Sequence, residues 1–570
     1  MASKLSLFLV ELKRRKVYRV ATVYVVVGAG IIGLGEAALP SNIWEGIQIP
    51  VGIIVLIGLP IALILAWAYE LKPEESRLGE PPAQEPPPTP GTAGPIEITG
   101  QAKRKSIVVL PFDNMSPDPG DAYFSDGLTE EIITHLSFIR SLRVISRNSA
   151  MALKGTDKST RVIADELDVQ YVLEGSVRKA GTNLLITAQL IDGPDDAHLW
   201  ADKYAGTFDD VFEIQEKVAR SIVDALKIEL TSEEGQRIAD RPIEDLRAYE
   251  CYLKATAGIY GFTEESISEA LRHLHLALNT VGDNAILYSG LALTHFSLMN
   301  VGVRIEENRA KAFEAVQKAL ALDPEIPKAR ALLGILTMTY SGTLEDVKEG
   351  ARHLKLALEA DPDDVQALWG MIVICLYVGR PQDAYPLARR LRGLDPLDGY
   401  ALWPLPAVFL FDGKYDVALR EFRKLHEMDR EHPGWLAWYA LALAYNEEVD
   451  EAAALIEPCA RAHPNEVHTK LALIQIRALR GDKQGVLREL DGPFYEWSRE
   501  RAWATRVAAA FALLGEKKEA LDWLEHAVNH GFINYPLLSE GDPWLENIRG
   551  EERFKELMVG VKREWETFEV

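Results

Sequence analysis

Hydrophobic and polar positions change rhythm three times along this chain. The first rhythm is unbroken apolar character. Sixteen uncharged, mostly apolar residues lie between Arg19 and Glu36, and twenty-four more between Glu45 and Glu70. The second run is long enough to cross a hydrocarbon core of ~30 Å as a helix. Pro60 would kink it, which membrane helices tolerate, and Trp44, Trp67 and Tyr69 sit near its ends, where interfacial aromatics belong. The first run reaches that length only if its helix continues past Glu36 to about Leu39. Lys13, Arg14, Arg15, Lys16 and Arg19 precede the first run, Lys72 and Arg77 follow the second, and the loop between them has no Lys or Arg. The positive-inside rule then predicts a two-helix transmembrane hairpin over 1–72, at the inner membrane with the remainder facing the cytoplasm. The rival reading is a secretory signal peptide, although no A-x-A site follows. Over 73–104 proline dominates, with seven in the fifteen residues from Pro81 to Pro95, which predicts an extended spacer.

The second rhythm, over 105–232, alternates strand and helix periods. SIVVLPF reads as a buried strand, and Leu128, Ile132, Ile133 and Leu136 recur at helical spacing. LRVIS is a short strand and STRVIADEL a helix capped at Ser159 or Thr160. Two alternating runs meet at Ala180-Gly181-Thr182-Asn183 as a hairpin, and an amphipathic helix follows from Val211 to Leu226. This predicts a small α/β domain. The blocks SIVVLPFDNMSPDPGDAYFSDGLTEEIITHLS, LRVISRNSAM, YVLEGSVRKAGTNLLITAQLID and HLWADKY together resemble the TolB-like amino-terminal domain. That resemblance implies a binding or assembly module without catalysis, and no catalytic residue is expected. A ligand pocket near the strand ends would be lined by Asp113, Phe124, Asp126, Arg147 and Arg178.

The third rhythm, over 243–535, is a repeat. Gly379, Gly413, Gly481 and Gly515 are 34, 68 and 34 apart, with Glu447 in the missing slot. A small residue follows each after five positions: Ala384, Ala418, Ala452, Val486 and Ala520. Pro324, Pro362, Pro396 and Pro464 end units. Small residues let two helices approach, glycine makes the tight turn, and Asp-Pro stops the second helix. The pattern resembles the tetratricopeptide (TPR) repeat, an all-α solenoid, here with about eight units closed by capping helices over 536–570. Pro493 interrupts the second helix of the seventh unit. Such a solenoid receives a protein or peptide partner in its groove. Trp369 and Trp403 are 34 apart, as are Tyr377, Phe411 and Tyr445. These are the candidate partner-binding residues, with packing between repeats as the alternative.

Composition narrows the function. A net charge of −23 disfavours nucleic acid as a partner. Three widely spaced cysteines, Cys251, Cys375 and Cys459, exclude a disulfide scaffold and a cysteine zinc site. No P-loop, H-E-x-x-H or G-x-S-x-G motif is present, and His273 and His275 point to different helix faces. No cofactor or metal is expected. The sequence therefore reads as a membrane-tethered, non-enzymatic interaction scaffold in bacterial signalling, with self-association left open. The alternatives are an envelope-assembly component outside the cytoplasm and a non-catalytic accessory chain of a cyclase or kinase pathway.

Overall fold

A computed structural model describes residues 104–569 apart from 260–262, 341, 491, 493, 496 and 497. All of them belong to one compact unit, 93–570. The expected hairpin over 1–72 and all but the last residue of the proline-rich spacer lie outside the described residues, as does Pro493.

Strand β1 (Lys105–Val109) runs parallel to both of its neighbours, β3 (Leu142–Val144) and β4 (Tyr171–Ala180). Ile107, Val108 and Val109 are fully buried, as a central parallel strand requires. The two-residue β2 (Asp113–Asn114) also adds to β4. β4 turns through Gly181, at φ +62°, into antiparallel β5 (Asn183–Asp192). β5 then pairs with the exposed edge strand β6 (Ala197–Thr207). Gly175 in β4 permits close approach, because a Cβ there would stand 2.3 Å from the Thr187 carbonyl oxygen. Helices α1 (Ala122–Ser137) and α4 (Val211–Ala225) pack together, α1 against β1 and α4 against β6. The short α2 (Arg147–Met151) and α3 (Thr160–Leu167) follow β3, and α5 (Ser232–Ala239) leads out.

From Leu246 the chain is helical. Leu246–Ile259 packs against Glu264–Val281, and the pairing continues to Arg501–Leu513 with Lys517–Asn529, eight pairs among the described residues. The pattern found in the sequence has a direct backbone counterpart. Gly379, Gly413, Gly481 and Gly515 turn at φ +67°, +72°, +75° and +77°, and Glu447 in the missing slot adopts φ +66°. Ala384, Ala418, Ala452, Val486 and Ala520 are each 0% exposed between paired helices. Asp323 and Asp361 cap helix C-termini in extended conformation immediately before proline. The array is a TPR-like solenoid, and the described chain is mostly helical.

One part of the expected fold class is corrected. Among the described residues no helix is long and apolar enough to cross a membrane, so the two-helix transmembrane hairpin has no support. Of the described helices, the strongly apolar Val365–Tyr377 has 13 residues and spans only about 20 Å, short of a hydrocarbon core.

The α/β part is not a separate bead. Its hydrophobic core runs on without a break through the first two helix pairs and into the first helix of the third, to Leu336. At the join, α1 packs on Leu246–Ile259, and a Cβ at Gly127 would meet the Leu253 side chain at 2.8 Å. Tyr123 donates to Glu250 (2.6 Å) across the same join, and within the α/β part Lys179 donates to Tyr123 (2.9 Å). A second contact reaches the turn after the fourth pair. Ser149 donates to Asp395 through its backbone N–H (3.0 Å), Ser146 N–H to the Leu394 carbonyl (2.8 Å), and Asn148 to Asp398 (2.7 Å).

The array also closes on itself. Beyond the last pair, the segment 532–568 crosses back to the fourth pair. Ile533 N–H donates to the Tyr377 carbonyl (3.0 Å), Asn534 Nδ2 to the Leu376 carbonyl (2.9 Å), and Arg380 to the Trp565 carbonyl (2.7 Å). These bonds satisfy carbonyls at a helix C-terminus that would otherwise be orphaned.

Candidate functional site

The first helices of successive repeats lie side by side and form one wall. Aromatic side chains run along it in contact: Trp369 to Trp403 (6.5 Å between centroids), Trp403 to Trp438 (5.3 Å), Trp438 to His468 (6.0 Å) and His468 to Trp503 (5.8 Å). Such a row offers a large apolar surface at low entropic cost. His468 Nδ1 lies 2.9 Å from Glu466 Oε1. Burial works to raise the Glu466 carboxyl, but hydrogen bonds from His468 and Thr469 hold it down at about 2. A small cleft opens between Trp438, His468, Gln475, Trp503 and Arg506.

The five residues expected to bind a partner fall into two groups. Trp369 and Trp403 belong to the aromatic row, and the Trp403 indole N–H is buried without a hydrogen-bond partner. Tyr377, Phe411 and Tyr445 are covered by the chain's own C-terminal segment. Tyr377 and Phe411 stand 6.1 and 6.5 Å from Phe532, and Tyr445 stacks on Trp544 at 3.7 Å and 9°. Burial drives the Tyr377 and Tyr445 hydroxyls well above the usual phenol range, so both stay protonated donors. The 34-residue spacing marks equivalent slots but carries no information on what fills the space in front of them. Trp438 and Trp503 were missed because the row steps out of register: 34 beyond Trp403 stands Ala437, and the aromatic moves to Trp438.

The five residues expected to line a pocket in the α/β part occupy separate surroundings. Asp113 is exposed on β2 and Arg178 exposed on β4. Phe124 is fully buried 5.7 Å from Phe208. Asp126 pairs with Lys154 (2.6 Å), and Arg147 with the buried Glu130 (2.7 Å).

Comparison with known proteins adds the following. Residues 103–222 match the family model for the second domain of HilA/YgeH-like transcriptional regulators, a different description from the TolB-like resemblance of the same stretch. A protein of Rhizobium meliloti (strain 1021) named "Putative adenylate cyclase 3" is 38% identical over 287 residues, covering 50% of this chain. That match spans 46% of the relative, less than half its length. Among solved structures, Pseudomonas aeruginosa PilF aligns at TM-score 0.29 and 19% identity, covering 38% of this chain and 90% of its own. Human IFIT1 aligns at TM-score 0.34 and 13% identity, covering 63% and 94%. With both scores below 0.5, the assignment of the solenoid rests on its own helix pairing and turn geometry.

Proposed function

We propose that this chain is a non-catalytic protein-binding scaffold whose solenoid wall takes a segment of a protein partner. The observation that carries this reading is the division of the wall. One aromatic row is covered by the chain's own C-terminal segment, while the Trp403–Trp438–His468–Trp503 row borders an open cleft. The α/β module holds the array from both its first repeat and the turn after its fourth, a fixed geometry suited to presenting that wall. A photo-crosslinking residue at Trp503, compared with one at the exposed Leu487 on a second helix, tests the reading in the native host. A discrete partner crosslinked from position 503 and not from 487 supports it. Equal crosslinking from both positions, or none from either, refutes it.

The match to a protein named as an adenylate cyclase favours a place in a cyclase pathway, as an accessory chain. The HilA/YgeH-like match is compatible with a regulatory setting. Formation of cyclic AMP by the purified chain alone would overturn the non-catalytic part. Reporters fused after Val570 separate this reading from the envelope-assembly alternative: fluorescence supports the signalling role, and phosphatase activity refutes it.

A further inference from the structure

The cleft owes its existence to one small residue. Trp438, Ala472 and Arg506 occupy the same slot in three successive repeats, 34 residues apart. Ala472 leaves the middle of that column empty. The Arg506 guanidinium lies over the Trp438 ring at 5.0 Å, while Phe422 stacks on Trp438 at 5.5 Å and 14°.

Two polar groups there lack what their chemistry demands. Gln475 is 0% exposed, and neither its amide oxygen nor its amide nitrogen has a hydrogen-bond partner. Buried side-chain amides are ordinarily paired, because an orphaned one loses its water without replacement. Arg506 is 9% exposed and rests on Trp438 and Phe411, with no hydrogen bond or ion pair among the described residues. The carboxylate that acts on it through space, Asp542, is committed elsewhere: it accepts from Trp544 N–H (3.0 Å) and from the Tyr445 hydroxyl (3.3 Å). The Arg506 guanidinium thus keeps hydrogen-bond donors that no acceptor among the described residues takes up. Leu441 and Leu471 add an apolar lining.

We propose that this cleft recognises one acidic residue of an extended peptide, whose main-chain amide pairs with the Gln475 amide and whose carboxylate reaches Arg506. An amide needs both a donor and an acceptor, and a peptide unit supplies both. A guanidinium favours a carboxylate through short, charge-assisted bonds. The net charge of −23 repels an acidic ligand at long range, so affinity must come from these short-range pairs.

The inference rests on the scaffold reading, and the test separates the two. Acetylated, amidated heptapeptide pools with Glu, Asp, Gln or Lys fixed at the centre are titrated against the full chain by fluorescence polarisation. The Glu and Asp pools bind at least about tenfold tighter than the others. Gln475→Leu and Ala472→Met each weaken the acidic pools about tenfold or more, one by removing the amide and the other by filling the space. Gln475→Leu leaves the melting temperature unchanged or raised, since it removes an orphaned polar group; a structural role would lower it. Arg506→Lys keeps the charge and lowers affinity while retaining the acidic preference. Unchanged binding in Gln475→Leu, or no preference for acidic pools, overturns the pocket. If position 503 still crosslinks a partner, the scaffold reading stands without it; if no pool binds and nothing crosslinks, both fall.

Discussion

Asp395 offers the most direct test of how the α/β module is fastened to the solenoid. It is 1% exposed, and its Oδ1 accepts from the Ser149 N–H at 3.0 Å and the Ser149 hydroxyl at 2.5 Å. Burial pushes the carboxyl up from 3.8 to about 6, the hydroxyls of Ser146 and Ser149 pull it part-way back, and Asp398 adds to the rise. A carboxyl raised on folding binds its proton more tightly in the folded state. Its contribution is therefore favourable below about pH 4 and is lost as pH rises through about 6. A displacement of roughly two pK units corresponds to about 3 kcal/mol at full ionisation. Asp395→Asn keeps the acceptor for Ser149 and removes the titration. Above pH 7 the variant should be more stable than the parent by about 2 kcal/mol, after a loss of about 1 kcal/mol for the weaker neutral hydrogen bonds. Near pH 4 that advantage should vanish or reverse. The assay is the thermal midpoint of parent and variant side by side from pH 4 to 8, read with limited proteolysis of the join. Parallel midpoints across that range would refute the claim that a buried charge sits at this contact.

Other predictions follow from backbone geometry. Gly379→Ala combines a left-handed φ with a Cβ 2.6 Å from Asn534 Oδ1, whereas Gly413→Ala has the same φ class and nothing within 4 Å. Gly413→Ala should cost about 1 kcal/mol and Gly379→Ala about 1–3 kcal/mol more, with earlier proteolysis of the 532–568 segment only in the latter. Glu447→Gly should raise stability by about 1 kcal/mol in denaturant titration, because it relieves a left-handed non-glycine turn. Gly175→Ala should cost about 3 kcal/mol or more, since a backbone oxygen on the paired strand cannot move aside; a melting temperature equal to the parent's would show that the sheet opens more easily than its pairing implies. Trp403→Ala should lose about 2 kcal/mol from its half-buried contacts, measured by thermal unfolding.

The repeat was legible because each of its signals is local. A left-handed turn selects glycine, a close helix crossing selects alanine, and a helix stop selects Asp-Pro, so period and turn sites could be read without any tertiary contact. Even the exception at Glu447 kept its slot, and the backbone there adopts the same φ as the glycines. The hairpin at Ala180–Asn183 and the helix at Thr160–Leu167 were similarly determined by alternation and capping residues. The edge strand of the sheet, Ala197–Thr207, was not recognised as one: it is largely exposed and its polar residues hide any alternation.

The candidate site was only half legible. Trp369 and Trp403 announced a row of aromatics, but identical spacing also nominated Tyr377, Phe411 and Tyr445, which the returning segment covers. Nothing between Phe532 and Phe568 encodes its destination in a period; Asn534 finds the Leu376 carbonyl only because the solenoid curls until the two meet. The cleft itself arises from a missing side chain at Ala472 and from two polar groups left unpaired around it. Small residues and lone polar residues look ordinary in sequence. Their meaning depends on what faces them, which is set by the sum of small rotations from one repeat to the next. Local periodicity thus determined the elements and their turns, while superhelical closure decided which surfaces are spent on the protein itself and which stay open.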